Sequence, residues 1–361
     1  MSLQFSKIAG TGGIGSGVLF QMSTNESLSR NESRLAVLSD ARDYCKQHII
    51  LHYVAKMLSP GVNVIAIGKV GDDGEGKRLL LEMAQAGIDT RFVQNDPDNP
   101  TMYSVCIQYA DKSGFNVTSS NNASGAVTPR YINGCIDSIS GGIDEKTLVL
   151  AAPEVPVESR IALLERGKSG GAFCAASVLR EEAGEFRRLG GFELCDLLAV
   201  NEDEAQAISG KENTDKLKTA KACYAELAKY NPNIALIVTA GEQGSYCVQG
   251  GNVEHIPAVS SAVVNTAGAG DAYLAGVICG LALGMPLQYL RGGNNEVIRA
   301  TDFGALLAGL SLESKHTIAD NIDKNDVMKK LQNIIKAGSY DIQTKIRAKV
   351  QTIQQDTIFR A

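Results

Sequence analysis

Two hydrophobic patterns alternate along the chain. Short apolar runs rich in β-branched residues stand at "VNVIAIG" (62–68), "TLVLAA" (147–152), "DLLAVN" (196–201) and "NIALIVTA" (233–240). Between and after them the apolar positions take helical spacing, in "EGKRLLLEMAQAG" (75–87), "PVESRIALLERGK" (156–168), "TDKLKTAKACYAELAKY" (214–230) and the run from Asp271 onward. Strands alternating with helices predict βαβ units and an α/β fold, a doubly wound, mostly parallel sheet flanked by helices. Ligands of such sheets sit at the carboxyl ends of the strands.

Two stretches break the pattern. Residues 16–45 and 100–127 are polar and strand-like, and "SRLAVLSDARDY" and "TMYSVCIQYADKSGFNV" predict antiparallel strands of a small β lid over one edge of the main domain. With no Pro- or Ser-rich linker and no internal repeat, residues 1–340 predict a single domain carrying those two lid segments. In the C-terminal stretch 341–361, Ile342, Ile346, Val350 and Ile353 fall on one stripe of a predicted amphipathic helix. Such a stripe packs on its own domain or meets a partner.

Composition narrows the function classes. Of 361 residues, 44% are hydrophobic and 21% charged, as in a soluble globular protein, and the net charge of −5 argues against a dedicated nucleic-acid binder. No apolar run is long enough for a membrane span, and "MSLQFSKIAG" lacks a signal-peptide core, so a cytoplasmic protein without membrane contact is expected. The eight cysteines stand singly, without CxxC or zinc spacing, which reads as reduced thiols.

"GTGGIG" (10–15) fits the dinucleotide fingerprint, but "SGVLFQMSTNES" after it does not make the helix that would hold a pyrophosphate. A nicotinamide oxidoreductase is therefore only a minor alternative. Gly12 and Gly13 read better as a close-packed strand end beside a ligand.

The richest stretch is "NTAGAGDAY" (265–273), between the strand-like "SSAVVNTA" and the helical "AYLAGVICGLALG". Gly268, Ala269 and Gly270 at such a junction let backbone N–H groups converge at the positive end of a helix, a geometry that binds anions. Asp271 beside them is either an N-cap or a catalytic carboxylate. "VNEDEA" (200–205) sets Asn201 and Glu204 on one face of a starting helix, suited to a hydrated Mg²⁺ and the phosphates it bridges. A helix start favouring acidic residues explains Glu202 to Glu204 as well. "VTAGEQGSYCV" (238–248) offers Thr239, Gly241 and Gly244 as a nucleotide cradle, or as an ordinary glycine-containing hairpin.

In their order and strand contexts these motifs resemble the ribokinase-like, or PfkB, family of carbohydrate and nucleoside kinases. "NTAGAGDAY" is similar to the family's "DTTGAGDAF", "VNEDE" to "vNxxE", "VTAGEQG" to "vTxGxxG", and "VGDDGEGKRLL…AGIDT" (70–90) to "vGdDxxGxxl…GvdT". The resemblance covers roughly residues 60 to 310. It implies ATP-dependent phosphorylation of a hydroxyl of a small carbohydrate or related compound, with ATP and Mg²⁺ as cofactors. By the same resemblance Asp271 is the base, and the N–H groups of Gly268, Ala269 and Gly270 form the anion hole. Asn201 and Glu204 would serve Mg²⁺ and the phosphates, and Thr239, Gly241, Gly244 and Asp302 the nucleotide. The physics agrees, since phosphoryl transfer needs positioning and charge stabilisation more than covalent chemistry.

The chain departs from the family in three places. Asn265 replaces the aspartate near the monovalent-cation site, and "LSLESKHT" (310–317) brings Glu313 and His316 there, so weak or absent potassium activation is expected. The early "GGxxxNxA" motif gives way to "DYCKQHIILHYVAKML" (43–58), and Ser16 falls near a missing acidic residue, while "PEVP" keeps Glu154 in a pattern resembling "ExP". Gly12, Gly13, Ser16 and Glu154 are thus acceptor-site candidates. Basic residues also gather in the lid segment: Arg30, Arg34, Arg42, Lys46 and His48, with Asp40 and Asp43 among them. They predict an anionic acceptor, a sugar acid or sugar phosphate held by Arg34, Arg42 and Lys46, or else a solvated lid surface. A nucleoside kinase of the same family and a nucleotide-binding pseudokinase without turnover are the alternatives, and a homodimer through the lid is a candidate assembly.

Overall fold

The structure, a computed structural model, describes residues 3–111, 113–289 and 299–319, together with 322 and 327. Its strands are β1 (Lys7–Thr11), β2 (Gly15–Gln21), β3 (Val37–Tyr44), β4 (Asn63–Gly71), β5 (Ile88–Asp96), β6 (Met102–Gln108), β7 (Gly114–Thr118), β8 (Thr147–Ala151), β9 (Phe173–Ala176), β10 (Leu197–Asn201), β11 (Ala235–Thr239), β12 (Ser245–Gln249) and β13 (Asn252–Ile256). The helices are α1 (Lys46–Leu58), α2 (Gly74–Gln85), α3 (Pro129–Ser138), α4 (Val157–Ser169), α5 (Ala183–Arg188), α6 (Gly191–Leu194), α7 (Glu202–Ser209), α8 (Lys216–Leu227), α9 (Ala269–Ala282) and α10 (Ala300–Ser311).

Among the described residues nine strands form one sheet, in the order β13-β12-β11-β10-β9-β8-β1-β4-β5. It is parallel from β11 to β5, and the β12–β13 hairpin closes one edge antiparallel. The central strands read as unbroken apolar runs because both of their faces are covered. In β4, Val64 and Ala66 join a core built with α1, α2, α9 and α10, while Ile65 and Ile67 join a second core built with α3 to α8. β8 divides the same way, Leu148 and Leu150 against Val149 and Ala151. The doubly wound α/β fold expected from the pattern is the one observed.

Register fixes where a site can form. Thr11 at the end of β1 pairs with Ile67 of β4 and Ala151 of β8, and Asn201 of β10 pairs with Thr239 of β11. The carboxyl ends of these strands therefore share one rim.

The remaining four strands form a separate sheet, in the order β3-β2-β6-β7, drawn from the two polar stretches. β2–β3 and β6–β7 are antiparallel, but β2 and β6 pair in parallel, a correction to the all-antiparallel expectation. The reason is the chain path: α1, β4, α2 and β5 intervene between β3 and β6, so no hairpin joins the halves. "GTGGIG" leads from β1 into β2, strand to strand, with no phosphate-binding helix after it. No helix among the described residues is long and apolar enough to cross a membrane. The predicted helix over 341–361, with Ile342, Ile346, Val350 and Ile353, lies outside the described residues.

Candidate active site

The candidate anion-hole loop is built by the small residues before α9. Asn265 Oδ1 accepts a hydrogen bond from the Ala267 N–H (3.0 Å), which turns the chain toward the helix. Gly268 is the N-cap, left-handed with φ 77°. A side chain there would be strained, and a Cβ would lie 2.9 Å from the Thr317 carbonyl oxygen. Beside Gly270, by contrast, a Cβ would meet nothing within 4 Å, so this part of the loop faces open space. Ala269, Gly270 and Asp271 are the first three helical residues, and their N–H groups are among the four that a helix leaves without internal acceptors. The cap alternative for Asp271 does not hold: Gly268 occupies the N-cap, and Asp271 sits in the first turn.

The Asp271 carboxylate is only 14% exposed and faces Lys46 Nζ at 3.8 Å. Burial pushes its pKa up, and the ammonium of Lys46 opposes that rise. Lys46 is the first residue of α1, and its own pKa is held high by Asp271. Its backbone N–H donates to Glu154 Oε2 (3.1 Å). Glu154 follows β8 with φ 75°, and burial pushes its carboxyl up to about 7. Gly13 stands against it so closely that a Cβ there would lie 2.5 Å from the Glu154 Cβ. Gly12 packs likewise against Ala152 and Gln47, and the Gly13 N–H donates to the Pro153 carbonyl (2.9 Å). The two glycines thus let the β1 end approach the loop that carries Glu154.

Asn201 caps α7. Its Oδ1 accepts from the Glu204 N–H (2.9 Å), and Glu204 Oε2 accepts from the Asn201 N–H (2.8 Å), a reciprocal capping box. The structural reading of this pair is therefore realised, and it uses only one oxygen of Glu204. Burial raises the Glu204 pKa, with Lys46 pulling it down and Asp271 pushing it up, so Glu204 belongs to the same electrostatic cluster. Thr239 ends β11 with its hydroxyl toward the Val200 carbonyl (3.4 Å). Gly241 and Gly244 form the turn into β12, where Gly244 packs on the Ile256 carbonyl and Gly241 has open space beside it. Asp302, in the first turn of α10, is engaged by Arg299, which also pairs with Glu254 (2.9 Å) and lies over the Tyr289 ring.

The lid cations do not gather as expected. Arg34 is held in its own loop by Glu32 and the Glu26 carbonyl. Arg42 pairs with Glu82 (3.3 Å) and is 54% exposed, and Arg30 is exposed. His48 is fully buried on α1 against Tyr44 and His52, where burial drives its pKa down and keeps it neutral. Only Lys46 reaches Asp271. Linear clustering in the sequence was broken up by α1, which begins at Lys46 and turns His48 inward. Ser16 bonds Glu75, which pairs with Arg78, and Arg78 pairs in turn with Glu82 (2.7 Å).

One member of the cluster went unassigned in the sequence. Asp43, on β3, accepts from Cys106 Sγ (3.3 Å), and its pKa is raised by burial and by Asp271. In the sequence it stood only among the basic residues of the lid segment. The available signal was strand alternation, which puts Asp43 and Arg42 on opposite faces of the lid.

A doubly wound sheet with a helix start open at Gly270 and a carboxylate–lysine pair at its carboxyl rim has the architecture of a carbohydrate kinase fold. The chain belongs to the pfkB family of carbohydrate kinases, which matches residues 50–325. It is similar to a ribokinase of Staphylococcus aureus, 24% identical over 69% of this chain and 76% of that one. It is 25% identical to an ATP-dependent 6-phosphofructokinase of Thermoanaerobacterium thermosaccharolyticum, over 65% of this chain and 71% of that one. The fold is also that of a ribokinase from Cryptococcus neoformans solved in complex with ADP, with a TM-score of 0.71 at 22% identity, covering 90% of this chain and 100% of the other.

Proposed function

We propose that the protein transfers a phosphoryl group from ATP to a hydroxyl of a small uncharged carbohydrate or related polyol. Asp271 orients the acceptor hydroxyl and takes its proton, while the N–H groups of Gly268, Ala269 and Gly270 stabilise the charge on the transferring group. The observation that carries this reading is Asp271 itself: partly buried in the first turn of α9, paired with Lys46, directly after a loop open at Gly270. A capping role would not require that lysine. Thr239, Gly241 and Gly244 would line the nucleotide along the β11 end.

Mg²⁺ would be served by Glu204. Among the described residues no three His, Cys, Asp or Glu side chains converge as metal ligands. The Oε1 atom that the capping box leaves free fits an ion that keeps waters and phosphate oxygens as its other ligands. When bound, such an ion would neutralise phosphate charge.

The acceptor's charge is where this reading departs from the sequence expectation. Asp43, Glu154, Glu204 and Asp271 surround a single cation, Lys46, and Asp271 raises the pKa of each of the other three carboxyls. A further negative charge at about 5 Å from one of them costs about 3 kcal/mol at an effective dielectric of about 20. The nearby cations of α2 and the lid are already engaged: Arg78 by Glu75 and Glu82, Arg42 by Glu82, Arg34 by Glu32. Carboxylates accept hydroxyl hydrogen bonds readily, which favours a neutral polyol. ADP release should be measured with pentoses, hexoses, nucleosides, sugar acids and sugar phosphates. Neutral acceptors should be turned over; a sugar phosphate or acid used more efficiently than its neutral parent would overturn the acceptor assignment. ADP binding without turnover of any acceptor would favour the pseudokinase.

A further inference from the structure

The segment that follows α10, residues 312–317, touches the anion-hole loop on one side and the lid on the other. Toward the loop, the Val264 N–H donates to the Leu312 carbonyl (2.8 Å), and Asn265 Nδ2 donates to the Lys315 carbonyl (3.0 Å). The Thr317 carbonyl lies against Gly268, the left-handed N-cap of α9. Toward the lid, the Arg42 N–H of β3 donates to His316 Nδ1 (2.8 Å), and the Tyr44 N–H donates to Thr317 Oγ1 (3.0 Å). The Thr317 N–H in turn donates to the Arg42 carbonyl (3.1 Å). Thr317 and Tyr44 are both buried, so the bond between them is shielded from water, while the Arg42–His316 bond lies at the surface. Two residues past Tyr44 the chain reaches Lys46, the partner of Asp271.

We infer that His316 and Thr317 are positioning residues that tie the lid strand to the anion hole, so that Lys46 and the α9 N–H groups are aligned together. The inference rests on the kinase reading. It follows from connectivity: within six residues, His316 and Thr317 bond β3 through their side chains and the Thr317 backbone presses on Gly268. A lid displaced from this segment leaves the Tyr44 N–H buried without its acceptor, and Gly268 without the surface that sets its turn. The coupling serves the transferring phosphoryl group, whereas ADP bound along Thr239 and Gly241 does not meet this segment.

The test compares MgADP binding by calorimetry with and without aluminium fluoride, which mimics the transferring phosphoryl group, in the full chain. Thr317→Val and His316→Leu remove the two side-chain acceptors; Thr317→Ser and His316→Asn restore them. Fluoride should tighten MgADP binding to the wild type. That tightening should fall at least about tenfold in Thr317→Val and His316→Leu, with MgADP affinity alone held within about twofold, and return in the Ser and Asn variants. Unchanged tightening in the Val and Leu variants overturns the inference. So does a loss that extends equally to MgADP alone, which a merely structural role would produce. If Thr317→Val fails to fold, the half-buried His316 pair carries the comparison by itself. A wild type that binds MgADP but shows no fluoride tightening overturns the kinase reading instead.

Discussion

Replacing Asp271 with asparagine separates chemistry from scaffold. The substitution keeps size and a hydrogen-bonding group and removes the proton acceptor. A positioned base contributes about 10²–10⁴-fold, so kcat should fall by that factor, about 3–5 kcal/mol in barrier height. Stability should move far less. Asp271 lies in the first turn of α9, not at its cap, so its favourable interaction with the helix dipole contributes only about 0.3–1 kcal/mol. Its attraction to Lys46 at 3.8 Å, between about 1 kcal/mol in water and about 4 kcal/mol at an effective dielectric of about 20, is offset by the burial that raises its pKa. Lys46 also keeps Glu154 and Glu204 as electrostatic partners in the variant. The assay is ADP release with the acceptor identified by the panel, alongside MgADP calorimetry and a thermal melt. Retention of more than about a tenth of wild-type kcat refutes the assignment of Asp271 as the base, and a loss of MgADP affinity equal to the loss of kcat refutes the separation of roles.

Lys46→Met should move the acidic limb of the kcat–pH profile to higher pH. The base works ionised, its pKa is already raised by burial, and Lys46 is the cation holding it down; an unmoved limb removes Lys46 from the site. Glu204→Gln should preserve the α7 capping box, since Gln serves there as well as Glu, yet raise the Mg²⁺ concentration needed for half-maximal rate. An unchanged Mg²⁺ titration would take Glu204 out of the metal's reach. Potassium should not activate, because the Asn265 amide already donates to the Lys315 carbonyl and brings no carboxylate to balance a cation; a several-fold rate gain in K⁺ over tetramethylammonium at equal ionic strength would overturn this. Glu154 carries a linkage signature. Its folded pKa, about 7, lies above the ordinary 4.5, so the native state holds the extra proton, and stability should decline as pH rises from 4.5 to 7 by at most about 3 kcal/mol. Urea midpoints should show that decline in the wild type and a flatter profile in Glu154→Gln.

The sheet was legible because its strands carry their signal locally. β4, β8, β10 and β11 are apolar on both faces, and the helices between them keep amphipathic spacing, so element type follows from short windows. The loop before α9 was legible from its consecutive small residues ahead of a helical run, but the strand expected over 260–267 does not form: after β13 the chain runs to α9 without one, because these residues pair with no neighbouring strand. The VNEDE stretch was legible only as a choice. A helix start and a metal-serving carboxylate demand the same residues, and the capping box shows that one side chain can meet the first demand with an oxygen to spare. The parallel pairing of β2 with β6 was not legible, because it depends on where the intervening βαβ path deposits the second half of the lid.

The carboxylates around Lys46 show why counting charges along a sequence misleads. Arg30, Arg34, Arg42, Lys46 and His48 fall within nineteen residues, yet a site is assembled from whatever the fold brings to one rim. Here β3 ends and α1 begins beside Asp271, so a single cation of the five, Lys46, arrives there. Glu26, Glu32 and Glu82 claim two of the arginines, and the helix turns the histidine into the core. The acids reach the same rim from four separate elements: Asp43 from the lid, Glu154 after β8, Glu204 on α7 and Asp271 on α9. They lie 43 to 271 along the chain, so no window of sequence could weigh them against Lys46. Burial raises the pKa of each, and the charge of Asp271 adds to the rise in the other three, which favours the binding of hydroxyl groups, able to donate hydrogen bonds to these carboxylates without adding to the charge.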